Sequence, residues 1–146
     1  MTVVKFVQPT AAQSGATYKS NINSSIQVVA EIAGHFAPHA QDTPDLTVRV
    51  DAGRIYWRTG SPETLIEKAA QNTASLTAPT VNPRKDIVHI DQATGNVGVA
   101  TGAEAAAPVD PGIPAGKIPI GRITWTVAAG SITNSMISDL RTAFMW

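Results

Sequence analysis

The stretch that decides the fold is Asp86-Ile-Val-His-Ile-Asp91, followed by Gln92-Ala-Thr-Gly95 and Asn96-Val-Gly-Val-Ala-Thr101. The first block is rich in β-branched residues and has an aspartate at each end. The second is a short polar turn that ends in glycine. The third returns as Val97, Val99 and Ala100 with small residues between them. Two β-favouring runs on either side of a Gly-containing turn read as antiparallel strands. His89 stands between Val88 and Ile90, so alternation turns it away from their face, toward solvent or a neighbouring strand.

The same pattern continues on both sides. Leu46-Thr-Val-Arg-Val50 alternates, Asp51-Ala-Gly53 turns, and Arg54-Ile-Tyr-Trp57 follows, which predicts a hairpin. Gly60-Ser-Pro62 is the next turn, and Glu63 to Ala69 reads as a strand or a short helical turn. Thr73-Ala-Ser-Leu-Thr77 predicts another strand, stopped by Pro79 and Pro83. Residues 102–116 are rich in Ala, Pro and Gly, with Pro108, Pro111 and Pro114 evenly spaced, which favours an extended surface loop. Lys117 to Val127 alternates again, and Pro119 marks a strand start or edge. Ile132, Met136, Ile137 and Leu140 have helical spacing, with Thr133 or Asn134 as N-cap, and predict a short C-terminal helix.

Ahead of this β-rich part lies a different pattern. Val3, Val4, Phe6 and Val7 read as a short strand in an extended arm, which Pro9 ends. Tyr18, Ile22, Ile26, Val29, Ala33 and Phe36 recur at steps of three and four, one face of a helix bracketed by Gly34 and Pro38. Ile22, Val29 and Phe36 are spaced by seven, as are Ile26 and Ala33, giving about two and a half heptads. Two readings stand. The helix lies on the chain's own sheet, or Ile22, Ile26, Val29, Ala33 and Phe36 form an oligomer seam around an axis. β-Branched residues at the seam are compatible with a trimer.

The expected fold is therefore mainly β with an N-terminal helix: a small antiparallel β sandwich or barrel of about six to eight strands, assembled as a trimer. Residues 1–42 form the arm and oligomerisation helix, and residues 43–146 form the antiparallel β domain with its short C-terminal helix.

Composition narrows the function. Of 146 residues, 43% are apolar but only 15% are charged, against the ~25% charged that is usual, so much surface is expected to meet other chains. Formal net charge is zero and no Lys/Arg cluster stands out, which argues against a nucleic-acid partner. With no cysteine, disulfides, Cys-zinc sites and thiol nucleophiles are excluded. No apolar run reaches the ~18 residues of a membrane span, and the apolar stretch after Met1 is too short for a signal peptide. Folding in the cytoplasm is the resulting expectation. Phe144-Met-Trp146 is a large apolar end that suggests docking, an assembly contact in its own right.

No residues announce a reaction. His35 and His39 have metal-ligand spacing on a helix, and Asp42, Asp45 and Asp51 lie nearby, but Pro38 breaks the helix and no third ligand is close in sequence. Glu63, Glu67, Asp86, Asp91, Glu104, Asp110 and Asp139 are scattered, with nothing to pair two of them for acid–base work. Nucleophile-elbow, P-loop and dinucleotide-binding motifs are absent. No catalytic residue, cofactor or metal is expected. Tyr56, Trp57 or Trp125 would stack on a host-surface glycan if exposed, although aromatics in alternating strands favour the core.

Five segments in order carry a resemblance: Thr47-Val-Arg-Val-Asp-Ala-Gly53; Thr77-Ala-Pro-Thr-Val-Asn-Pro-Arg-Lys-Asp-Ile-Val-His-Ile-Asp91; Thr94-Gly-Asn-Val-Gly-Val-Ala-Thr-Gly102; Ile113-Pro-Ala-Gly-Lys-Ile-Pro-Ile120; and Ile132-Thr-Asn-Ser-Met-Ile-Ser-Asp-Leu-Arg141. Together, over roughly residues 45–141, they resemble tailed-bacteriophage virion structural proteins of the tail-fibre-like and baseplate-associated kind. The resemblance implies a non-enzymatic virion component made in the host cytoplasm. It would be a homo-oligomer, often a trimer, in contact with other virion proteins. A capsid decoration or head-fibre protein is the alternative within that class, and a host-glycan-binding module is the alternative outside it. The chain lacks the extended shaft of a long fibre.

Overall fold

The structure, a computed structural model, describes residues 34–57 and 64–141. The chain divides into two units, Met1–His35 and Phe36–Trp146, and the architecture below is that of the second.

The central element is β6 (Arg84–Asp91), the run from which the sequence reading began. It pairs antiparallel with β7 (Val97–Thr101) across the turn at Gly95, whose φ of 70° is the left-handed conformation that glycine tolerates best. On its other side it pairs with β8 (Lys117–Trp125), with a register shift between Val88 and His89. β8 pairs in turn with β9 (Ile137–Asp139), giving a four-stranded sheet in the order β7-β6-β8-β9. A second sheet holds β1 (Pro38–Ala40), β2 (Val48–Val50) and β5 (Gln71–Asn72) in the order β1-β2-β5. A third is the two-stranded hairpin of β3 (Gly53–Trp57) and β4 (Thr64–Lys68). All the pairings are antiparallel.

One core joins these sheets. Val88 and Ile90 of β6 and Ile120, Ile123 and Trp125 of β8 cluster with Val48 and Val50 of β2 and Ile55 of β3. Phe36 and Ile132 complete the cluster from outside the strands. Side chains also bridge sheet edges. Gln71 donates from Nε2 to Gly95 O (2.8 Å) and accepts from Val97 N (3.3 Å), tying β5 to the start of β7. Asn134 Oδ1 accepts from Ala40 N at 2.8 Å, tying β1 to the turn that precedes β9.

This architecture corrects the expected fold class. The β content agrees, but the strands form three small antiparallel sheets in place of one sandwich or barrel, and no α-helix is an element among the described residues. The seam positions Ile22, Ile26, Val29 and Ala33 lie outside the described residues. Phe36, expected at the end of that helix, has φ 53° and is buried in the chain's own core, so it does not continue a helical face toward a neighbouring copy. The β unit begins at Phe36, ahead of the expected boundary at residue 43, because β1 belongs to the β2 sheet.

Two further expectations are corrected. The predicted C-terminal helix is a single 3-10 turn, Asn134–Met136, that runs directly into β9. The buried Ile132 and the ladder with β8 hold this segment extended, so its helical spacing is not realised. The predicted hairpin between residues 46–50 and 54–57 does not form. The link between them bonds to the segment ahead of β1 instead, Asp51 N donating to Ala37 O (3.0 Å) and Ala52 O accepting from Phe36 N (3.4 Å). The chain then leaves one sheet and starts another at Gly53, where a Cβ would stand 2.4 Å from the Phe36 ring.

Candidate interaction surface

Many ionisable side chains of the β unit are engaged in structural contacts. At the centre is Asp86, fully buried between core and sheet end. Its Oδ1 and Oδ2 accept from Arg84 Nε and Nη2, both at 2.9 Å, while Oδ2 also accepts from Trp125 Nε1 at 2.7 Å and Oδ1 from Gly102 N at 2.9 Å. Arg84 is itself buried, donates to Thr77 O at 2.6 Å, and sits 5.7 Å from the centroid of the Trp125 ring. A buried carboxylate with four donors is satisfied on both oxygens and has no lone-pair capacity left for a substrate.

Several surface groups are paired as well. His39 donates from Nδ1 to Ala40 O (2.8 Å) and places Nε2 3.1 Å from Asp51 Oδ1. Arg54 pairs with Glu67 across the β3–β4 hairpin, Arg122 with Asp110, and Arg141 with Asp139. Asp91 pairs with Lys117 and also accepts from the Ala93 and Thr94 amides; the Lys117 ammonium foremost, with the amides behind it, holds its carboxyl far below the usual carboxylate range. Asp45 accepts from the amide and hydroxyl of Thr47.

His89 stands apart. Of the two expectations, solvent or a neighbouring strand, the second describes it: the residue is buried and lies between two neighbouring strands. Its partners across the sheet are Gly98 and Pro119, and a Cβ on Gly98 would lie 2.5 Å from the imidazole Cε1. Nδ1 has no hydrogen-bond partner among the described residues. Burial and the nearby Lys117 lower its pKa, against a smaller opposing pull from Asp91.

Among the described residues, the most exposed large apolar side chains lie on two loops. Glu104, early in the link between β7 and β8, accepts from the consecutive amides of Thr80 (3.1 Å), Val81 (2.8 Å) and Asn82 (3.0 Å). The amides of Asn82, Val81 and Thr80 lower the Glu104 pKa by hydrogen bonding to the charged form. Ala105 N donates to Pro83 O at 3.1 Å, so the two loops are clasped at a second point. Each carries a nearly bare valine, Val81 at 74% and Val109 at 76% exposure, and Ile113 is also exposed on the longer loop. Fixed loops that present apolar side chains to water are suited to contact with another protein surface.

The residues singled out in the sequence fall as follows. His39 is on β1 with Nε2 3.1 Å from Asp51 Oδ1, and among the described residues no group of three or more His, Cys, Asp or Glu is placed to hold a metal ion. Trp125 is fully buried and hydrogen-bonded, so it offers no face to a sugar. The side chains of Tyr56 and Trp57, and the whole of Phe144, Met145 and Trp146, lie outside what is described. No helix among the described residues is long and apolar enough to cross a membrane. The Glu104 clasp had no signal in the sequence, because its partners are backbone amides more than twenty residues away.

No protein-family model matches the chain, and no curated protein does.

Proposed function

We propose that this chain is a non-enzymatic structural protein of a tailed-bacteriophage virion, an oligomeric component of the tail fibre or baseplate. The observation that carries the reading is the employment of charge. Asp86, Asp91, Glu104, Asp110 and Asp139 are each engaged by a cation or by backbone amides, while Val81 and Val109 stand exposed on loops held in place by one of those carboxylates. That pattern suits contact with another chain better than chemistry on a substrate. The resemblance of residues 45–141 to virion structural proteins supports the same reading. A homo-oligomer, with a trimer favoured, and contacts to other virion proteins belong to this proposal.

Cryo-microscopy of particles carrying a tagged copy tests it. Tag density on the tail or baseplate is the expected result. Density on the capsid would replace the tail assignment with a decoration or head-fibre role, and particles without the tag would overturn the reading. Light scattering of the purified protein at several concentrations tests the oligomer, and a species of constant three-chain mass is expected.

A further inference from the structure

β6 lies between β7 and β8 and is antiparallel to both, so β7 and β8 run parallel to each other. Residues 102–116, which join them, therefore cross one face of the sheet, as any connection between parallel strands must. The face that carries Val88 and Ile90 is packed against β2. The crossing is on the other face, where the register places Ile87 with Ala100 and Arg122, and His89 with Gly98 and Pro119. Asp110 of the crossing segment meets Arg122 on that face. Beneath it Ile87 is 1% exposed.

This cover is attached in an unusual way. No residue from 102 to 116 is buried, and none belongs to the hydrophobic core cluster. Its hydrogen bonds and ion pair to the rest of the chain are Gly102 N to Asp86, Glu104 to the amides of residues 80–82, Ala105 N to Pro83 O, Asp110 to Arg122 and, at its far end, Gly116 O from Gln92 N. The face it covers holds two buried polar atoms with no hydrogen-bond partner among the described residues, His89 Nδ1 and Arg122 Nε. Buried polar groups are almost always satisfied, so a face with two that are not gains hydration when it opens.

We propose that residues 102–116 are a strap that lifts as a unit and uncovers Ile87, His89 and Arg122 while the core on the other side of the sheet stays closed. The charged groups that hold it are Glu104 and Asp110 on the strap and Arg122 on β8. Lys117 and Asp91 flank His89 at the far end of the same face. The inference rests on topology and contacts and is independent of the virion assignment.

Because the chain has no cysteine, a single thiol reports on the covered face. Ile87→Cys would be labelled with a thiol reagent under native conditions, alone and combined with Glu104→Gln and Asp110→Asn, while the indole proton of Trp125 is followed by NMR. The expected result is labelling about tenfold faster or more in the combined variant, with the Trp125 proton still protected. Unchanged labelling, or faster labelling only together with loss of Trp125 protection, would overturn the proposal. If Ile87→Cys does not fold, His89→Cys, at a position 8% exposed on the same face, gives the same readout.

Discussion

Trp125 donates its indole hydrogen to Asp86 Oδ2 at 2.7 Å, and both side chains are fully buried. This bond links the hydrophobic core to the ion pair with Arg84, and through Gly102 N to the start of the strap. Asp86→Ala leaves the Arg84 guanidinium and the indole N–H buried without acceptors. The expected cost is about 3–5 kcal/mol of folding stability, the range for breaking a buried pair from one side. Trp125→Phe removes only one donor along with the indole's extra volume, so it is expected to cost less than Asp86→Ala. Urea unfolding followed by circular dichroism checks both.

Gly53 is predicted to be intolerant of any side chain. Its missing Cβ is the space the Phe36 ring occupies, with three ring atoms within 2.6 Å of where a Cβ would be. Phe36 cannot retreat easily, since it is buried and its backbone already holds a left-handed φ of 53°, which a bulky residue adopts at a cost. Gly53→Ala is expected to destabilise by about 1–3 kcal/mol through overpacking. Phe36→Ala is expected to be destabilising too, and the double variant less so than the sum, because the same clash is relieved once. A double-mutant cycle by chemical denaturation measures the difference.

The strands were legible where local pattern and final environment agree. Ile87, Val88 and Ile90 sit in β6, and the Gln92–Gly95 turn delivers β7 beside it. Pro119 falls where β8 has no partner in β9, consistent with its reading as an edge residue. Strand partners were less legible, since pairing depends on contacts distant in sequence. Residues 48–50 and 53–57 are both strands, yet Phe36 and Ala37 separate them into different sheets. The spacing of Ile132, Met136 and Ile137 is helical, but it is overridden by the β8 ladder and by the Asn134 bond to Ala40. Alternation puts His89 on the face opposite Val88, as the register has it, but local pattern does not show that the side chain is buried there.

His89 is expected to make stability pH-dependent in weak acid. Its pKa is lowered in the folded chain, so over the range between the folded and unfolded values the unfolded chain binds more protons. Stability therefore falls as pH drops below the ~6.5 of a free imidazole, and levels off once His89 is protonated in the fold as well. His89→Gln removes the titrating group. Urea midpoints at pH 7 and pH 5.5 should differ more in the parent than in the variant, and equal differences in the two proteins would refute the assignment.

Glu104 is expected to act in the opposite part of the scale. Its pKa is lowered by the amides of Asn82, Val81 and Thr80, so the clasp is at full strength above the ~4.3 of a free glutamate and is lost as pH falls through the lower folded value. The amide resonances of residues 80–82 should titrate together below that point in the parent protein. In Glu104→Gln they should not titrate with this group at all, and their hydrogens should exchange faster at neutral pH, because a neutral acceptor binds an N–H more weakly than a carboxylate does. Amides that titrate unchanged in the variant would show that another group holds the loop. Since the clasp is at the surface, the loss is expected to be local, with the Asp86–Trp125 bond and the core intact.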